Sequence, residues 1–422
     1  IRAASEATGI RVAIMGDLPG PKIRIGQIRE EPVFLRAGDA LVLSVDSTAE
    51  HDERVFVSFP MLPLVVHAGD TLFLNDGLIE LQVQGVKDLD VYCTVVVGGE
   101  LRSRKGLNLP GINLGISAFT DTDRAWLKFA VMQGVDAVSQ SFVDCAEDIL
   151  AVHAAAEPLG RVPFIIAKIE RATAVENYEA ILDVADGIMV ARGDLGVETP
   201  IEEIAVLQKK LIKAARQRGK PVITATQMLE SMTSNRRPTR AESTDVANAI
   251  LDGADCVMLS GESANGLYPA ESVAMLARIA AAVEPHVRVE RSPSEPGETT
   301  ATSVGDIREL IAMSVRTAVK RAHPAAVLVP TRTGTSARSI SRYRLPVWIV
   351  AVSPQEATCR HLAFSYGVYP VHSEEDPEDW KAYAESLVSE RHLTGDVVIL
   401  TQGPSKKHPE TNHRMEVIDI RS

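Results

Sequence analysis

Three charged side chains follow two short apolar runs and could carry metal or phosphoryl-transfer chemistry. Lys168 and Glu170 end residues 165–170 (IIAKIE), and Asp194 lies in residues 191–196 (ARGDLG). Two carboxylates at neighbouring strand ends can hold a hard divalent cation such as Mg²⁺ through oxygen ligands. A lysine beside them can stabilise a phosphoryl group during transfer, where catalysis rests on positioning and electrostatics. A structural salt bridge uses the same residue types at this spacing, so spacing alone leaves both interpretations open.

Two nearby positions could bind an anionic substrate. Gly193 lets a ligand approach the backbone closely, and N–H groups at a helix start can receive an anion. Thr226 ends a strand in residues 224–230 (TATQMLE), so its hydroxyl could meet a substrate carboxylate or a proton-relaying water. A helix N-cap or a hydroxyl-stabilised turn is the commoner role of such a threonine, and it remains open here.

A third candidate is the loop at residues 16–26 (GDLPGPKIRIG). Its proline and glycine residues favour a tight, rigid turn. Asp17, Lys22 and Arg24 follow one another closely there, so the loop could bind phosphate at a strand end. The spacing of these glycines is weak support when taken alone.

The elements that would position these residues are buried strands alternating with helices. Strand-length apolar runs occur at residues 12–18, 137–143, 164–169, 187–192, 221–226 and 256–261, and helical patterns include residues 201–218 and 243–251. Alternation of this kind predicts parallel strands buried on both faces. Polar residues recur where the strands end, and in a barrel of parallel strands active sites lie at that edge. These strand-end residues are Asp17, Ser141, Lys168, Arg192, Thr226 and Ser260.

Only six such strands are visible where a closed barrel needs eight, and the chain begins with Ile1 in what reads as the tail of a helix. We therefore expect the barrel to lack its first two strand–helix units, with a gap between the strands that contain Asp17 and Ser260. We also expect this chain alone to be weakly active or inactive.

Three domains are expected from the changes in pattern along the chain. Residues 1–26 and 105–290 form the partial barrel, and residues 27–104, with short alternating strands and Gly/Asp turns, form an inserted β domain. Residues 291–303 (RSPSEPGETTATS) read as a linker. Residues 303–422 read as a separate α/β domain.

Composition narrows the partners and the compartment. The 422 residues are 45% hydrophobic and 24% charged, with a net charge of −12, which argues against nucleic acid or an anionic membrane as the main partner. Apolar runs fall short of the roughly 18–20 residues that a bilayer requires. The four cysteines, without a CxxC pair, read as reduced thiols in a cytoplasmic protein.

A series of longer blocks resembles the signature sequences of the pyruvate kinase family, in the family's order. They are GPKIRIG, NDGLIELQV, KGLNLPG, IIAKIE, DGIMVARGDLGVE, GKPVITATQMLESM, RPTRAESTDVANAILDGADCVMLSGESA and YPAESV. The resemblance is dense over residues 8–290 and looser beyond. It implies a TIM (β/α)8 barrel lacking its first two βα units in this chain, an inserted small β-barrel lid domain and a C-terminal α/β regulatory domain.

The resemblance also implies an activity and a role for each candidate. The activity is phosphoryl transfer from phosphoenolpyruvate to ADP, which gives pyruvate and ATP in glycolysis. The resemblance also implies that the protein is a cytoplasmic homo-oligomer, expected to be a tetramer. The resemblance implies that Glu170 and Asp194 are ligands of Mg²⁺ or Mn²⁺ and that the catalytic residues are Lys168, Arg24 and Thr226. It implies that the substrate is bound by Gly193, Asp194, Thr226 and Lys168. On the lid, the nucleotide-facing residues would be Asp76 and Lys105. Arg104 stands where the family often has a second lysine, and Ser260 and Glu262 match the polar end of the last barrel strand.

Two further implications concern ions and effectors. Asp17 and Lys22 correspond to the monovalent-cation site of the family or its substitute. Family members with a lysine at the position of Lys22, after Gly20-Pro21, resemble K⁺-independent enzymes. The alternative is that Lys22 faces solvent and pairs with a surface carboxylate. The family's effector phosphate loop corresponds to Thr331, Arg332, Thr333, Gly334, Thr335 and Ser336, for which a plain turn is the alternative. Residues 403–413 (GPSKKHPETNH) depart from the family's second effector loop, which leaves fructose 1,6-bisphosphate open as the effector.

Two other functions remain open from the sequence. A non-catalytic relative that senses phosphorylated ligands, or serves as a partner subunit, would not need to keep Lys168, Glu170 and Asp194. A lyase acting on related substrates would not need Asp76 and Lys105 on the lid.

Overall fold

The computed structural model describes residues 1–46, 54–287, 307–403 and 412–421. The predicted linker at residues 291–303 lies outside them, as does most of the departing effector segment at residues 403–413. The strands are β1 (Met15–Leu18), β2 (Val33–Phe34), β3 (Ala40–Ser44), β4 (Arg54–Phe56), β5 (Thr71–Leu74), β6 (Ile79–Lys87), β7 (Asp90–Val97), β8 (Glu100–Leu101), β9 (Leu107–Asn108), β10 (Ala137–Gln140), β11 (Phe164–Ile169), β12 (Gly187–Ala191), β13 (Val222–Ala225), β14 (Cys256–Val257), β15 (Ala326–Pro330), β16 (Trp348–Ser353), β17 (Val368–His372), β18 (Val397–Gln402) and β19 (Arg414–Asp419).

Fifteen α-helices occur among the described residues. They are α1 (Arg2–Thr8), α2 (Leu62–Val65), α3 (Asp121–Met132), α4 (Ala146–Ala156), α5 (Ala172–Glu176), α6 (Tyr178–Val184), α7 (Arg192–Glu198), α8 (Ile204–Gln217), α9 (Arg240–Asp252), α10 (Gly261–Ala264), α11 (Pro269–Val283), α12 (Ile307–Ala322), α13 (Thr335–Ser341), α14 (Glu356–Leu362) and α15 (Trp380–Glu390). No described helix combines the length and the hydrophobicity that crossing a membrane requires.

The barrel strands form one six-stranded sheet in the order β1-β10-β11-β12-β13-β14. The strands β11 and β12 pair in parallel, with Lys168 opposite Met189, and β13 and β14 also pair in parallel. β12 is buried along its whole length, as expected for a strand covered on both faces. The predicted six-strand sheet, with the strands near Asp17 and Ser260 at its two edges, is confirmed.

Helix α9 shows why this sequence forms its elements locally. The Thr239 hydroxyl accepts a hydrogen bond from the Glu242 amide at 3.2 Å, and the Glu242 carboxylate accepts one from the Thr239 amide at 2.7 Å. This capping box satisfies two donors at the helix start. The helix ends before Gly253, whose φ of 94° suits a left-handed C-cap.

The inserted β domain has a six-stranded sheet in the order β4-β3-β7-β6-β5-β9 and a two-stranded pair of β2 with β8. Along β6 the residues Ile79, Leu81 and Val83 are buried and alternate with more exposed neighbours, which gives the sheet one core-facing side. Its hydrophobic cluster extends from Ile23 to Leu114.

The C-terminal domain is a five-stranded sheet in the order β17-β16-β15-β18-β19, in which only β19 runs antiparallel to its neighbour. Successive residues of β15 enter different hydrophobic clusters: Ala326 and Leu328 join one, and Val327 and Val329 join the other. Helices therefore cover both faces of this sheet, as the alternating pattern predicted.

Five of the six predicted barrel strands are shorter in the structure, and the first and the last of them differ from the prediction in an informative way. The run at residues 12–18 becomes a strand only at Met15, because the Ile14 amide donates to the Asp136 carboxylate at 2.8 Å and the Val12 carbonyl accepts from Arg2 at 3.1 Å. The run at residues 256–261 ends as a strand at Val257, and the chain turns into α10 at residue 261. Apolar composition marked these segments, but side-chain hydrogen bonds from distant residues decide where the first of these strands begins.

The described chain forms two compact units. One comprises residues 1–15, 135–137 and 212–422, and the other comprises residues 16–134 and 138–211. The second unit contains Lys168, Glu170, Asp194 and the loop around Lys22. The first contains Thr226 and the loop that begins at Thr331.

Candidate active site

Lys168 and Glu170 lie where β11 ends, two residues apart and therefore on the same side of the strand. The Lys168 Nζ atom donates to the Ser141 Oγ atom at 2.7 Å. It also lies 3.3 Å from Glu170 Oε2 and 3.6 Å from Asp17 Oδ1. The structure thus brings together side chains from the ends of three strands.

Glu170 is the most constrained member of this cluster. It is 1% exposed, and its Oε1 atom accepts a hydrogen bond from the Phe142 amide at 2.7 Å. Its other oxygen, Oε2, is buried and makes no hydrogen bond, although Lys168 Nζ lies near it. Burial raises the pKa of the Glu170 carboxyl to about 7; the Lys168 ammonium opposes this shift, and the Asp194 carboxylate adds to it.

Lys168 keeps its positive charge in this setting. Burial alone would lower the pKa of its ammonium group, but three carboxylates raise that pKa above its ordinary value. They belong to Glu170, Asp17 and Asp194, in order of effect. A fixed ammonium among converging carboxylates is suited to binding an anionic group that arrives with a metal ion.

Asp194 is the third residue of α7, and Gly193 is the second. Its carboxylate acts electrostatically on both Lys168 and Glu170, so Asp194 belongs to the same charged neighbourhood, and its role as a metal ligand together with Glu170 stays a prediction. The amides of a helix's first turn point out of its start, which gives this segment donors for an anion.

Sequence reasoning missed the group that supports this cluster. Arg171 is almost fully buried and donates to Asp144 at 2.5 Å and to the Ile112 carbonyl at 2.9 Å. Its Nε atom lies 3.9 Å from Glu198, the last residue of α7. Burial raises the pKa of Glu198 to about 7, with Arg171 opposing the shift. The charged positions flanking IIAKIE and RGDLG were the available signal, because buried charges usually occur in pairs.

Asp17 is held by a second residue that the sequence did not single out. The Ser139 hydroxyl donates to Asp17 Oδ1 at 2.6 Å. Gly20, in the same loop, has a φ of 64°, and a Cβ atom there would lie 2.8 Å from the Ser141 carbonyl oxygen. A side chain at Gly20 would therefore push the loop away from the strand end that carries Ser141.

The loop residues Lys22 and Arg24 lie beside the inserted domain. Arg24 pairs through its backbone with Gly106, and its Nη1 atom donates to the Arg104 carbonyl at 2.9 Å. A Cβ atom on Gly106 would lie 4.0 Å from both Lys22 Cε and Asp76 Oδ1. The structure therefore brings Lys22 and Asp76 close together, with Lys105 next along the chain from Gly106.

Thr226 directly follows β13 and has an unusual backbone. Its φ is 68°, and that of Gln227 is 52°, so two successive residues with side chains adopt the left-handed region. This is rare for a β-branched residue, and such strain concentrates at functional sites. The Thr226 hydroxyl donates to the Ala225 carbonyl at 2.6 Å, and the next helical turn begins at Glu230 with Leu229 as its N-cap, so Thr226 is not the N-cap of that turn.

Glu262 follows the last barrel strand and is fully buried. Its two oxygens accept hydrogen bonds from the Leu229 amide at 2.9 Å and the Ser260 amide at 2.7 Å. These contacts tie the segment after β13 to the start of α10.

The predicted effector loop precedes α13 in the C-terminal domain. The Gly334 amide donates to the Thr331 hydroxyl at 3.0 Å, and the hydroxyls of Thr333 and Thr335 lie 2.9 Å apart. Gly334 has a φ of 80°. The segment is a tight turn rich in hydroxyl groups that contains Arg332, and its last two residues, Thr335 and Ser336, begin α13.

The donor set fits a divalent cation with few protein ligands. Glu170 Oε2 is a buried carboxylate oxygen without a hydrogen bond, and the Asp194 carboxylate is near it. Among the described residues there is no cluster of three or more acidic, His or Cys side chains arranged to hold a metal. Mg²⁺ commonly uses one or two carboxylates and completes its shell with water and substrate phosphates, so two carboxylates suffice.

Comparisons with known proteins agree on one family. The family model described as "Pyruvate kinase, barrel domain" matches residues 1–273, and "Pyruvate kinase, alpha/beta domain" matches residues 309–418. A pyruvate kinase of Thermococcus litoralis is 46% identical over 416 residues, covering 98% of this chain and 87% of that protein. One from Mycobacterium tuberculosis is 38% identical over 407 residues, covering 96% and 85%.

A solved structure gives the same result for the fold. A crystal structure of a pyruvate kinase from Cryptosporidium parvum superposes with a TM-score of 0.89 at 34% identity, covering 100% of this chain and 87% of that one. The strand-end cluster around Lys168 lies in the region that the barrel model matches. On this evidence the chain belongs to the pyruvate kinase family.

Proposed function

We propose that this chain transfers the phosphoryl group of phosphoenolpyruvate to ADP, giving pyruvate and ATP. The observation that carries the proposal is the buried cluster of Lys168, Glu170, Asp194 and Asp17 at the strand ends, in a chain of this family. It combines a charged lysine with a carboxylate oxygen that has no hydrogen bond. A sensor of phosphorylated ligands would not need a buried carboxylate with one oxygen left without a hydrogen bond, because burying such a group costs free energy.

Glu170 and Asp194 would hold Mg²⁺ or Mn²⁺. When bound, the cation offsets negative charge on the phosphoryl group and on the enolate oxygen. Glu170 must be ionised to serve as a ligand, and its raised pKa makes metal binding sensitive to pH near neutrality.

Lys168 would contact the phosphoryl group during transfer. The bond from phosphorus to the enol oxygen of phosphoenolpyruvate breaks, and a bond to a terminal phosphate oxygen of ADP forms. The Lys168 ammonium stabilises charge on the phosphoryl oxygens in transit. Arg24, at the junction with the inserted domain, would supply a second positive charge.

Proton transfer completes the reaction. The enolate left behind takes up a proton at carbon, through a water near Thr226. The amides of Gly193 and Asp194 and the Thr226 hydroxyl would bind the substrate carboxylate. Asp76 and Lys105 would face the nucleotide, and closure of the inserted domain would exclude water as a competing acceptor.

We also propose that the enzyme works without K⁺. The Lys22 ammonium would supply the positive charge that a K⁺ ion supplies elsewhere in the family, near Asp17 at the substrate site. The test is an assay in Mg²⁺ buffer free of K⁺ and NH₄⁺, followed by addition of K⁺. Little activation is expected for the natural enzyme, and strong activation for Lys22→Glu; strong activation of the natural enzyme contradicts the proposal.

Three broader features are proposed on the family resemblance. The loop from Thr331 to Ser336 would bind the phosphate of an allosteric effector through its hydroxyls, Arg332 and backbone amides. The protein would assemble as a homotetramer and act in the cytoplasm.

The decisive experiment is a coupled assay for pyruvate from phosphoenolpyruvate and ADP, on protein expressed from the complete gene. Turnover that requires both substrates and a divalent cation supports the kinase. Tight binding of phosphoenolpyruvate without turnover favours the sensor, and pyruvate release without ADP favours the lyase.

A further inference from the structure

The chain returns from the inserted domain to the barrel through residues 109–115, which directly follow β9. Two consecutive residues of this connection are bound by charged side chains. The Glu198 carboxylate accepts a hydrogen bond from the Gly111 amide, and Arg171 Nη2 donates to the Ile112 carbonyl at 2.9 Å. The path by which the inserted domain rejoins the barrel is therefore held at its middle by two side chains of the barrel.

Both of these side chains are buried and are themselves held in place. The exposed fractions are 4% for Arg171 and 6% for Glu198, and Arg171 Nε lies 3.9 Å from Glu198 Oε2. Arg171 also donates to Asp144 at 2.5 Å, and Glu198 accepts a hydrogen bond from the Ala172 amide. Breaking a buried ion pair leaves a charge without compensation, so this pair resists rearrangement. We call Arg171 and Glu198 the anchor pair.

Helix α7 connects the anchor pair to two functional regions. Glu198 is its last residue, and Asp194, in its first turn, belongs to the charged neighbourhood at the strand ends. Between them, Val197 contacts the inserted domain: a Cβ atom on Gly77, next to Asp76, would lie 3.2 Å from Val197 Cγ2. The helix has seven residues and is roughly 10 Å long, so all these contacts lie on one short element.

The two ends of α7 are held in different ways. Its first residue follows β12 without a break, so the start of the helix is tied directly to the sheet. Its last residue is held by Arg171 and by the amides of Gly111 and Ala172. Loss of the anchor pair should therefore release the end of α7 and residues 109–115, while the start of the helix stays in place.

We infer that Arg171 and Glu198 are positioning residues for the nucleotide rather than for phosphoenolpyruvate. They fix the connection of the inserted domain and the end of α7, so that closure of this domain brings Asp76 and Lys105 to the nucleotide. Neither side chain has to touch a substrate for this role. The inference rests on the proposed function, since it assigns to the same site a determinant of nucleotide affinity.

The test compares the two substrates in steady-state kinetics of protein expressed from the complete gene. Glu198→Gln removes the charge and one acceptor oxygen, and Arg171→Lys keeps a positive charge but loses the planar set of donors that reaches several acceptors at once. Each variant should raise the KM for ADP about tenfold, the scale of one lost hydrogen bond to a charged group, and the KM for phosphoenolpyruvate less than about twofold. Calorimetric titration with ADP should show the same weakening without turnover.

Hydrogen exchange locates the effect in the chain. Amides of residues 109–115 should exchange faster in both variants, because their local opening becomes easier. Amides of β15 (Ala326–Pro330), in the C-terminal domain, should be unchanged in both variants and serve as the internal reference.

Asp255→Asn is the matched control, because it breaks a different buried ion pair, that of Asp255 with Arg344, in the other compact unit. It should leave the KM for ADP unchanged, since a KM does not depend on the fraction of enzyme that is folded.

Equal rises of both KM values in the anchor-pair variants would show that the pair only stabilises the fold and would overturn the inference. So would a rise in the KM for ADP of the same size in Asp255→Asn, or unchanged exchange of residues 109–115. A natural enzyme without turnover would instead contradict the proposed function. In that case, ADP titration and hydrogen exchange still decide the inference, and unchanged ADP affinity in both variants would overturn it.

Discussion

Two buried ion pairs in this molecule, Asp255 with Arg344 and Glu170 with Lys168, differ in how many hydrogen bonds the carboxylate accepts. Asp255 is saturated: its two oxygens accept four hydrogen bonds, two of them from Arg344. Glu170 is left incomplete, since one of its oxygens has no hydrogen bond and Lys168 lies 3.3 Å away. Both carboxylates are almost inaccessible to solvent, so burial does not separate them. The difference lies in the unused hydrogen-bonding capacity of the carboxylate, which Glu170 Oε2 retains and Asp255 does not.

The largest effect should come from Lys168→Met. Removing the ammonium takes away charge stabilisation of the phosphoryl group, and losses of this kind reduce kcat by roughly 10²–10³-fold. Folding should be little changed, because the raised pKa of Glu170 lets this carboxyl take up a proton once its counter-charge is removed. Steady-state kinetics and thermal unfolding of the variant, with Lys128→Met as the control, measure both. Near-normal turnover would remove Lys168 from its role.

The saturated pair should behave in the opposite way. Asp255→Asn leaves the buried Arg344 guanidinium without its counter-charge, and breaking such a pair costs about 3–5 kcal/mol. Denaturant unfolding should show this loss. The exposed pair of Asp419 and Arg421 supplies the control, since Asp419→Asn should leave the free energy of unfolding almost unchanged. Equal costs for the two variants would mean that Asp255 is not a structural centre.

In metal-free buffer, Glu170→Gln should change how the stability of the protein depends on pH. The pKa of Glu170 in the folded protein is about 7, above its ordinary value of 4.5, so the folded state binds a proton more tightly than the unfolded state does. The natural protein should therefore lose stability as the pH rises from about 4.5 through 7, and the Gln variant should lack this loss.

At pH 8 without metal, Glu170→Gln is thus expected to be as stable as the natural protein or more so, in contrast to Asp255→Asn. Thermal unfolding between pH 5 and pH 8 with a chelator measures it. Mg²⁺ should restore the natural protein's stability but not add to that of the variant. A variant that is destabilised equally at every pH would show that Glu170 is a structural residue.

The smallest effect is expected from Ser139→Ala. Its hydroxyl donates to Asp17 at 2.6 Å, and loss of one such bond to a carboxylate costs about 1.5–3 kcal/mol of local interaction. Because Asp17 is 57% exposed and water can replace the hydroxyl, we expect only a several-fold rise in the KM for phosphoenolpyruvate, with kcat nearly unchanged. Ser389→Ala, on an exposed position of α15, is the control for steady-state kinetics.

Much of the fold could be predicted from the sequence because long apolar runs report burial directly. The strand at residues 164–169 was predicted with the bounds that β11 has. The errors occurred where polar contacts decide the ends of elements. The Asp136 carboxylate, far along the chain, takes the Ile14 amide, and no local pattern announces that contact.

The candidate site also has features that the sequence predicts and features that it does not. Lys168, Glu170 and Asp194 follow strands, so their convergence could be predicted from topology. The support from Arg171 and Glu198 could not, because it depends on which charged side chains turn inward. The strained backbone at Thr226 was also invisible, since a threonine gives no sign of a positive φ.

The backbone at Thr226 and Gln227 has a consequence for protein engineering. Two successive side-chain-bearing residues with positive φ are positions where glycine would normally be the more stable choice. Stabilisation guided by backbone geometry alone would therefore select glycine there and, in doing so, delete the hydroxyl at residue 226. A library screened for thermal tolerance alone is expected to enrich inactive clones at this site, so screens of this protein should select for turnover and heat resistance together.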